Sequence, residues 1–239
     1  MTIASNPFAE EIASPLEADF LELNSEQRKV VVHDRGPLLV IAGPGSGKTQ
    51  CLTLRAMNLL LLGKTAPSQL VLCTYTEKAA YEMQDRVSEI AKKVGYKEDI
   101  SQIRIGTIHG ICSRIITENL HRIPNSDQQR PFIGNNYEIL SQLPQALFIF
   151  EHLDKICETG IAFFTNLWGT KWSVVKQLQI YFDKITEELI NIEELRSQRD
   201  AFLSRLANAY RIYRSLLVHY NRVDFAHLEK IVYGLLKGR

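Results

Sequence analysis

The sequence has few of the features that mark a membrane, secreted or disulfide-rich protein. Its 239 residues include four cysteines, none in C-x-x-C spacing, so neither a zinc site nor a disulfide framework is indicated. Aliphatic runs such as Leu59–Leu62 fall far short of the roughly 18 residues that cross a bilayer. No Lys or Arg precedes Arg28, whereas a signal peptide opens with basic residues. We therefore expect a reduced, cytoplasmic protein whose residues 1–20 form an acidic, flexible tail.

An excess of positive charge is also lacking. The 28 Lys and Arg residues nearly balance the 27 Asp and Glu residues, so the net charge of +1 does not indicate nucleic-acid binding. The hydrophobic share of 45% and the charged share of 23% are typical of a chain with a globular core. This composition excludes intrinsic disorder as the main state.

Three apolar runs, each followed by a helical pattern, predict an α/β fold. The runs cover residues 37–41, 69–75 and 103–107. The first is wholly apolar, as expected for a strand that is buried on both faces. Glycines at positions 63 and 95 are placed to end the first two helices. Strand–helix units in this order predict a parallel sheet with helices on both faces.

After residue 123 the strand pattern ends and helices follow. Residues 125–136 are rich in turn-forming residues and indicate a loop. Apolar spacing then predicts helices over about 137–159, 173–194 and 200–220. Asp224 is placed to cap a final helix. The α/β unit is therefore expected to be followed by a helical unit.

A glycine-rich segment between the first apolar run and its helix carries the strongest chemical signal. It reads Ala42-Gly43-Pro44-Gly45-Ser46-Gly47-Lys48-Thr49, which is the phosphate-loop pattern with alanine in its first position. Glycines let backbone N–H groups wrap a phosphate chain, and the helix that begins here adds its N-terminal dipole. Lys48 is predicted to reach the β- and γ-phosphates, and the Thr49 hydroxyl is predicted to bind Mg²⁺.

Other polar positions have two interpretations when each is considered alone. Asn24 and Gln27 have the spacing of a helix capping box, while the Gln27 amide also suits the edge of an adenine. Thr76 and Thr107 lie at the carboxyl ends of the second and third apolar runs, where each can cap the following helix. Ligands of parallel sheets bind at the same edge. Taken alone, His109 is better explained by a local hydrogen bond.

In combination, five segments resemble the UvrD/Rep-like superfamily 1 DNA helicases. They are LNSEQ (23–27), AGPGSGKT (42–49), TYTEKAA (74–80), GTIHGI (106–111) and VDFAHL (223–228). The family carries LN-x-x-Q, AGAGSGKT, TFTNKAA, GTFHG and VDF elements in the same order. This resemblance implies a P-loop, RecA-like α/β domain with an all-helical insertion. It also implies ATP and Mg²⁺ as cofactors and single-stranded DNA as a partner.

The resemblance further implies roles for single residues. The implied ATP-binding residues are Asn24, Gln27, Ala42, Gly43, Pro44, Gly45, Ser46, Gly47, Lys48, Thr49 and Gln50. Among them Lys48 and Thr49 form the catalytic centre, and Gln27 contacts the adenine. The implied DNA-binding residues are Tyr75, Thr76, Thr107 and His109. An aromatic ring such as that of Tyr75 suits this task, because any base can stack on it.

By the same resemblance, the RecA-like core covers residues 21–117, the helical insertion 118–220, and a return into the core 221–239. The family's Walker B motif, DE-x-QD, has no counterpart here. The segments that end at Glu151 and Asp183 are similar to it but lie within helical patterns. We therefore expect an N-terminal fragment of a helicase that binds ATP, hardly hydrolyses it, and lacks the second RecA-like domain.

The sequence departs from the family's motifs at two positions, and it also allows an alternative function. Gln50 replaces the family's arginine beside the nucleotide, and Glu77 replaces an asparagine, which places negative charge near the DNA strand. We expect the first to affect ATP affinity and the second to affect DNA affinity. The alternative is a complete small P-loop protein that acts as a nucleotide-dependent interaction or regulatory module. Asp183 or Glu151 would then be its catalytic acid.

Overall fold

Helices dominate the computed structural model, which describes residues 11–122 and 137–237. The chain divides into two units between Ile111 and Cys112. The first contains α1 (Glu17–Leu21), α2 (Ser25–Val32), α3 (Lys48–Leu61), β1 (Val71–Thr74), α4 (Glu77–Lys93), β2 (Arg104–Thr107) and the start of α5 (Ile108–Glu118). The second contains β3 (Glu138–Leu140), α6 (Gln142–Glu151), α7 (Leu153–Cys157), α8 (Ile161–Trp168), α9 (Lys171–Glu187), α10 (Ile192–Ser197), α11 (Ala201–His219), β4 (Arg222–Asp224) and α12 (Phe225–Lys237).

The sheet of the first unit consists of β1 and β2, which pair in parallel. Val71 lies opposite Arg104, and Thr74 lies opposite Thr107. The second and third predicted strands are therefore confirmed. Helix α4 packs on both strands and on α3, which in turn packs on α2. Because the strands are parallel and in register, their carboxyl ends lie side by side.

The first predicted strand is wrong. Residues 37–41 have no strand structure, and the side chains of Leu39 and Ile41 are 85% and 91% exposed. A strand forms only when its backbone N–H and C=O groups find a neighbouring strand. Among the described residues none pairs with this run, so apolar composition alone does not make it a strand. The sheet described in the first unit therefore has two strands, and the described residues form no large RecA-like sheet.

The described part of the predicted acidic tail packs on the first unit. Leu16 is fully buried in the core of that unit. The buried Asn58 side chain on α3 accepts a hydrogen bond from the Ala13 N–H (2.8 Å) and donates one to the Glu11 carbonyl (2.9 Å). Residues 11–20 are thus held in place by apolar burial and by one buried amide, whereas residues 1–10 lie outside the described residues.

The second unit is mostly helical, as predicted, but it also contains a short parallel sheet. Strand β3 pairs with β4, so that Ile139 lies opposite Val223. The expectation of no strands after residue 123 is wrong, because three-residue strands carry no period that a sequence pattern can show. The helix predicted over 137–159 is accordingly divided into β3, α6 and α7. Helix α11 agrees with its prediction, and its N-terminus is capped by Asp200.

Both β4 and α12 belong to the second unit, although the sequence assigned residues 221–239 to the core of the first. Val223, Leu228 and Val232 lie in the apolar core of the second unit. The predicted loop over 125–136 falls in a segment outside the described residues. Among residues 11–122 and 137–237, no helix is long and apolar enough to cross a membrane.

A buried polar network joins the helices of the second unit. The Tyr213 hydroxyl donates to Asp224 Oδ2 (2.6 Å), and His227 Nδ1 lies 2.8 Å from Asp224 Oδ1. Tyr210 Oη lies 3.2 Å from His227 Nε2 and 2.9 Å from Thr186 Oγ1. Asp224 also accepts a hydrogen bond from the backbone N–H of His227 (2.8 Å), which confirms its predicted capping role. The VDF element thus supplies a structural carboxylate that ties α12 to α11.

Asp183, on α9 of the same unit, lies in an unfavourable environment for its charge. Burial raises its pKa to about 6, although Gln145 Nε2 donates a hydrogen bond to its Oδ1 (2.8 Å). The unfolded chain has a pKa of about 3.9 at such a group. The ionised carboxylate therefore destabilises the fold: the penalty is absent below about pH 4, grows as the pH rises, and is complete above about pH 6.

We predict that Asp183→Asn, which keeps an acceptor for Gln145, raises the free energy of unfolding by about 1–2 kcal/mol at about pH 7.5, and by less at about pH 4.5. Urea denaturation followed by tryptophan fluorescence measures this, because both tryptophans, Trp168 and Trp172, lie in the second unit. Glu188→Gln, at an exposed position just after α9, is the control. An equal gain at both pH values would contradict the prediction.

Candidate functional site

The glycine-rich loop turns sharply into α3. Gly45 and Gly47 adopt positive φ angles of 72° and 81°, a conformation that favours glycine. A Cβ atom on Gly47 would lie 2.9 Å from Gln27 Nε2, so any side chain there would displace the Gln27 amide. Gly47 is the N-cap, and Lys48 is the first residue of the helix. The loop therefore places Lys48 at the N-terminus of α3, which is the positive end of this 14-residue helix.

The polar side chains of the loop bond to the loop itself. Lys48 Nζ donates to the carbonyl oxygens of Ala42 (3.1 Å) and Gly43 (2.5 Å). Ser46 Oγ donates to the same Gly43 carbonyl (2.7 Å). These contacts hold the ammonium group over the loop, where donors for a phosphate chain are needed. Lys48 is exposed and can exchange these carbonyl oxygens for phosphate oxygens.

Gln27 links helix α2 to the loop. Asn24 accepts from the Gln27 N–H (2.9 Å), and Gln27 Oε1 accepts from the Asn24 N–H (3.0 Å), which confirms the predicted capping box. In addition, Gln27 Nε2 donates to the Ser46 carbonyl (3.0 Å). A primary amide has two donor hydrogens and two acceptor lone pairs. One of each is left, which is the complement that an adenine edge requires.

The magnesium assignment depends on one hydroxyl group. Thr49 lies in the first turn of α3 and is exposed. Across residues 11–122 and 137–237, no cluster of three or more His, Cys, Asp or Glu side chains is arranged to hold a metal. Mg²⁺ usually keeps several waters and takes few protein ligands besides substrate phosphates. One threonine hydroxyl beside a phosphate loop is therefore compatible with Mg²⁺ that arrives with ATP.

The sheet edge gathers the residues that the sequence assigns to DNA. Tyr75 follows β1 and is 90% exposed. Thr76 caps α4 by accepting from the Ala79 N–H (3.2 Å). Thr107, at the end of β2, is only 8% exposed and accepts from the Gly110 N–H (3.1 Å) in the first turn of α5. Both capping interpretations are confirmed. The pairing of β1 with β2 places all of these residues, with the half-buried His109, at one edge.

A hydrogen bond that the sequence pattern does not predict joins the end of β2 to the start of α4. Thr107 Oγ1 donates to Glu77 Oε1 (3.1 Å), which joins β2 to the first turn of α4. From the sequence, Glu77 was only a departure that adds charge near the strand. The sequence indicates only that the end of β2 and the start of α4 meet at one edge of a parallel sheet. The contact itself depends on the register, in which Thr107 lies opposite Thr74, three residues before Glu77.

The two acids of the alternative interpretation lie on helices of the second unit. Glu151 is the last residue of α6 and is exposed. Asp183 lies inside α9 and accepts its hydrogen bond from Gln145. Neither follows a strand, which confirms the helical setting predicted from sequence.

A glycine-rich loop that leads into a helix with lysine at its first position defines the P-loop class of nucleotide-binding α/β proteins. The chain belongs to the UvrD/Rep helicase family, because the model of the UvrD/REP helicase N-terminal domain matches residues 23–239. It is 32% identical to the ATP-dependent DNA helicase SRS2 of Saccharomyces cerevisiae over 90% of this chain and 18% of that protein. Its identity to the ATP-dependent DNA helicase UvrD1 of Mycobacterium leprae is 30% over 90% of this chain and 26% of that protein.

A shorter match is closer in sequence. The ATP-dependent DNA helicase PcrA of Staphylococcus epidermidis is 42% identical over 101 residues, which are 42% of this chain and 13% of that protein. The chain thus spans about a quarter or less of the length of these relatives.

Proposed function

We propose that this chain is the ATP-binding and single-strand-contacting N-terminal part of an ATP-dependent DNA helicase. The observation that carries the proposal is the loop geometry, in which two left-handed glycines place Lys48 at the first position of α3. Membership of the UvrD/Rep family supports it, as do the names of the relatives, which are ATP-dependent DNA helicases.

In this proposal the loop binds the triphosphate of ATP. Backbone N–H groups of Gly43 and of residues 45–49 surround the phosphates, since Pro44 has no N–H to donate. Lys48 exchanges its contacts with Ala42 and Gly43 for the β- and γ-phosphates. The Thr49 hydroxyl supplies one ligand to the Mg²⁺ that accompanies ATP. The ion would neutralise part of the phosphate charge. Gln27 uses its remaining donor and acceptor on the adenine while its bond to Ser46 holds it against the loop.

The proposed DNA contacts lie at the carboxyl edge of β1 and β2. The exposed ring of Tyr75 is a stacking platform for a base. Thr76, Thr107 and His109 lie beside it at the starts of α4 and α5, where helix N-termini favour phosphate groups.

Hydrolysis and unwinding are proposed to need more than these residues. Phosphoryl transfer requires an acidic Mg²⁺ ligand, a group that positions the attacking water, and arginine side chains that stabilise the developing charge. The sequence has no Walker B pair, and in the family the arginines come from a second RecA-like domain. We therefore propose that residues 1–239 bind ATP but turn it over slowly, and that helicase activity requires that second domain.

We predict that residues 1–239 bind ATP·Mg²⁺ and that Lys48→Ala weakens this binding at least about tenfold, the equivalent of about 1.4 kcal/mol. Isothermal titration calorimetry measures the affinity, with Lys92→Ala as the control because Lys92 is an exposed lysine at the end of α4. Equal affinity of Lys48→Ala and wild type would contradict the proposed role of the loop. Turnover at the rate of a full helicase, lost in Asp183→Ala or Glu151→Ala, would support the small-module alternative instead.

For DNA, we predict that Tyr75→Ala weakens binding of a labelled oligothymidine by at least about fivefold, since stacking on one aromatic ring contributes about 1–3 kcal/mol. Tyr75→Phe keeps the ring and should bind as wild type does. Tyr81→Ala is the matched control, because Tyr81 is an exposed tyrosine (65%) further along α4. Fluorescence anisotropy at low salt provides the measurement, and equal losses for both alanine variants would contradict a specific role for Tyr75.

Gln50 lies in the first turn of α3 next to the loop, and it offers neither a charge nor a guanidinium plane. We predict that Gln50→Arg raises ATP affinity by up to about tenfold, while affinity for oligothymidine stays within about twofold. Gln50→Lys adds the charge without the plane and should gain less. Isothermal titration calorimetry with ATP·Mg²⁺ measures the affinity of each variant. An unchanged affinity in Gln50→Arg would show that position 50 is remote from the bound nucleotide.

A further inference from the structure

The hydroxyl of Thr107 joins three segments of the proposed DNA edge. Its oxygen accepts a hydrogen bond from the Gly110 N–H (3.1 Å) and lies 3.1 Å from Glu77 Oε1. A Cβ atom on Gly110 would lie 3.0 Å from this oxygen, so the turn is closed tightly around it. Thr107 is 8% exposed, whereas Glu77 is exposed.

The hydroxyl has only one proton to donate. Threonine offers one O–H donor, and an ionised carboxylate only accepts, so the proton between Thr107 and Glu77 belongs to the threonine and points at Glu77. A phosphodiester oxygen is also only an acceptor. It therefore needs the same proton, and the two acceptors exclude each other at this hydroxyl.

We propose that Glu77 is a built-in competitor of the DNA backbone at Thr107. This inference rests on the proposed function, because it assumes that a DNA phosphate approaches this edge. A phosphate that binds Thr107 displaces the Glu77 carboxylate, and the affinity for single-stranded DNA is lowered by the bond that must be given up. Glu77 is thereby an affinity-determining residue that acts through Thr107.

Displacement of Glu77 also removes a hydrogen bond that joins the first turn of α4 to the end of β2. Thr76 and Tyr75 immediately precede this turn. Phosphate binding at Thr107 is thus coupled to the segment that carries the proposed stacking platform. A carboxylate that acted only by its charge would produce neither this coupling nor any dependence on the Thr107 hydroxyl.

The two mechanisms differ in a double-mutant cycle. We predict that Glu77→Ala tightens binding of labelled oligothymidine by about threefold to tenfold when Thr107 is present. In the Thr107→Val background the same substitution should change the affinity less than about twofold, since only screened charge repulsion is left. Equal tightening in both backgrounds would overturn the competition and leave the proposed function intact.

A second comparison does not depend on the folding of Thr107→Val, which loses the cap of α5. Glu77→Gln removes the charge but keeps an acceptor for the Thr107 proton. Competition predicts that Glu77→Ala tightens binding more than Glu77→Gln does, whereas charge repulsion alone predicts equal effects of both. Thr107→Ser keeps the hydroxyl and should behave as wild type throughout the cycle.

The control for general charge effects is Asp85→Asn, at another exposed carboxylate of α4. Its effect should be the same with Thr107 and with Thr107→Val. If neither wild type nor Glu77→Ala binds oligothymidine at low salt, the proposed function fails and the competition fails with it. If wild type binds and Glu77→Ala equals Glu77→Gln, only the competition fails.

Discussion

The parallel pairing of β1 with β2 determines where the chemistry of the first unit gathers. With Thr74 opposite Thr107, both strands end at the same level, and α4 and α5 begin side by side. Two helix N-termini, an exposed aromatic ring and the Glu77–Thr107 bond all result from this register. A shift of one residue would turn every side chain of the shifted strand to the other face of the sheet and separate these groups.

Local and tertiary roles coincide in several of these residues. Thr76 and Thr107 cap helices through their oxygen atoms, yet the hydroxyl proton of Thr107 makes a further bond to Glu77. Gln27 completes a capping box and also holds the loop through Ser46. Structural and functional interpretations of such positions are therefore compatible, because a hydroxyl or an amide has more than one site for hydrogen bonds.

Features that depend on neighbouring residues were predicted correctly from the sequence, whereas pairing between distant segments was not. The loop, the caps at Thr76 and Thr107 and the helix α11 depend on residues a few positions apart, which a sequence displays directly. The run 37–41 was expected to be a buried strand but has no partner among the described residues, and β3 pairs with β4 across more than 80 positions. The Glu77–Thr107 bond joins residues 30 positions apart. Only the three-dimensional register shows such contacts.

Hydrogen–deuterium exchange of residues 1–239 tests most directly the claim that nucleotide and single strand occupy two neighbouring parts of the first unit. With ATP·Mg²⁺, exchange should slow at the amides of residues 43–50 other than Pro44, which has none, because N–H groups of this segment become phosphate donors. With oligothymidine, it should slow at residues 75–78 and 107–110. Protection by either ligand that is confined to the second unit, with these three segments unchanged, would contradict the account.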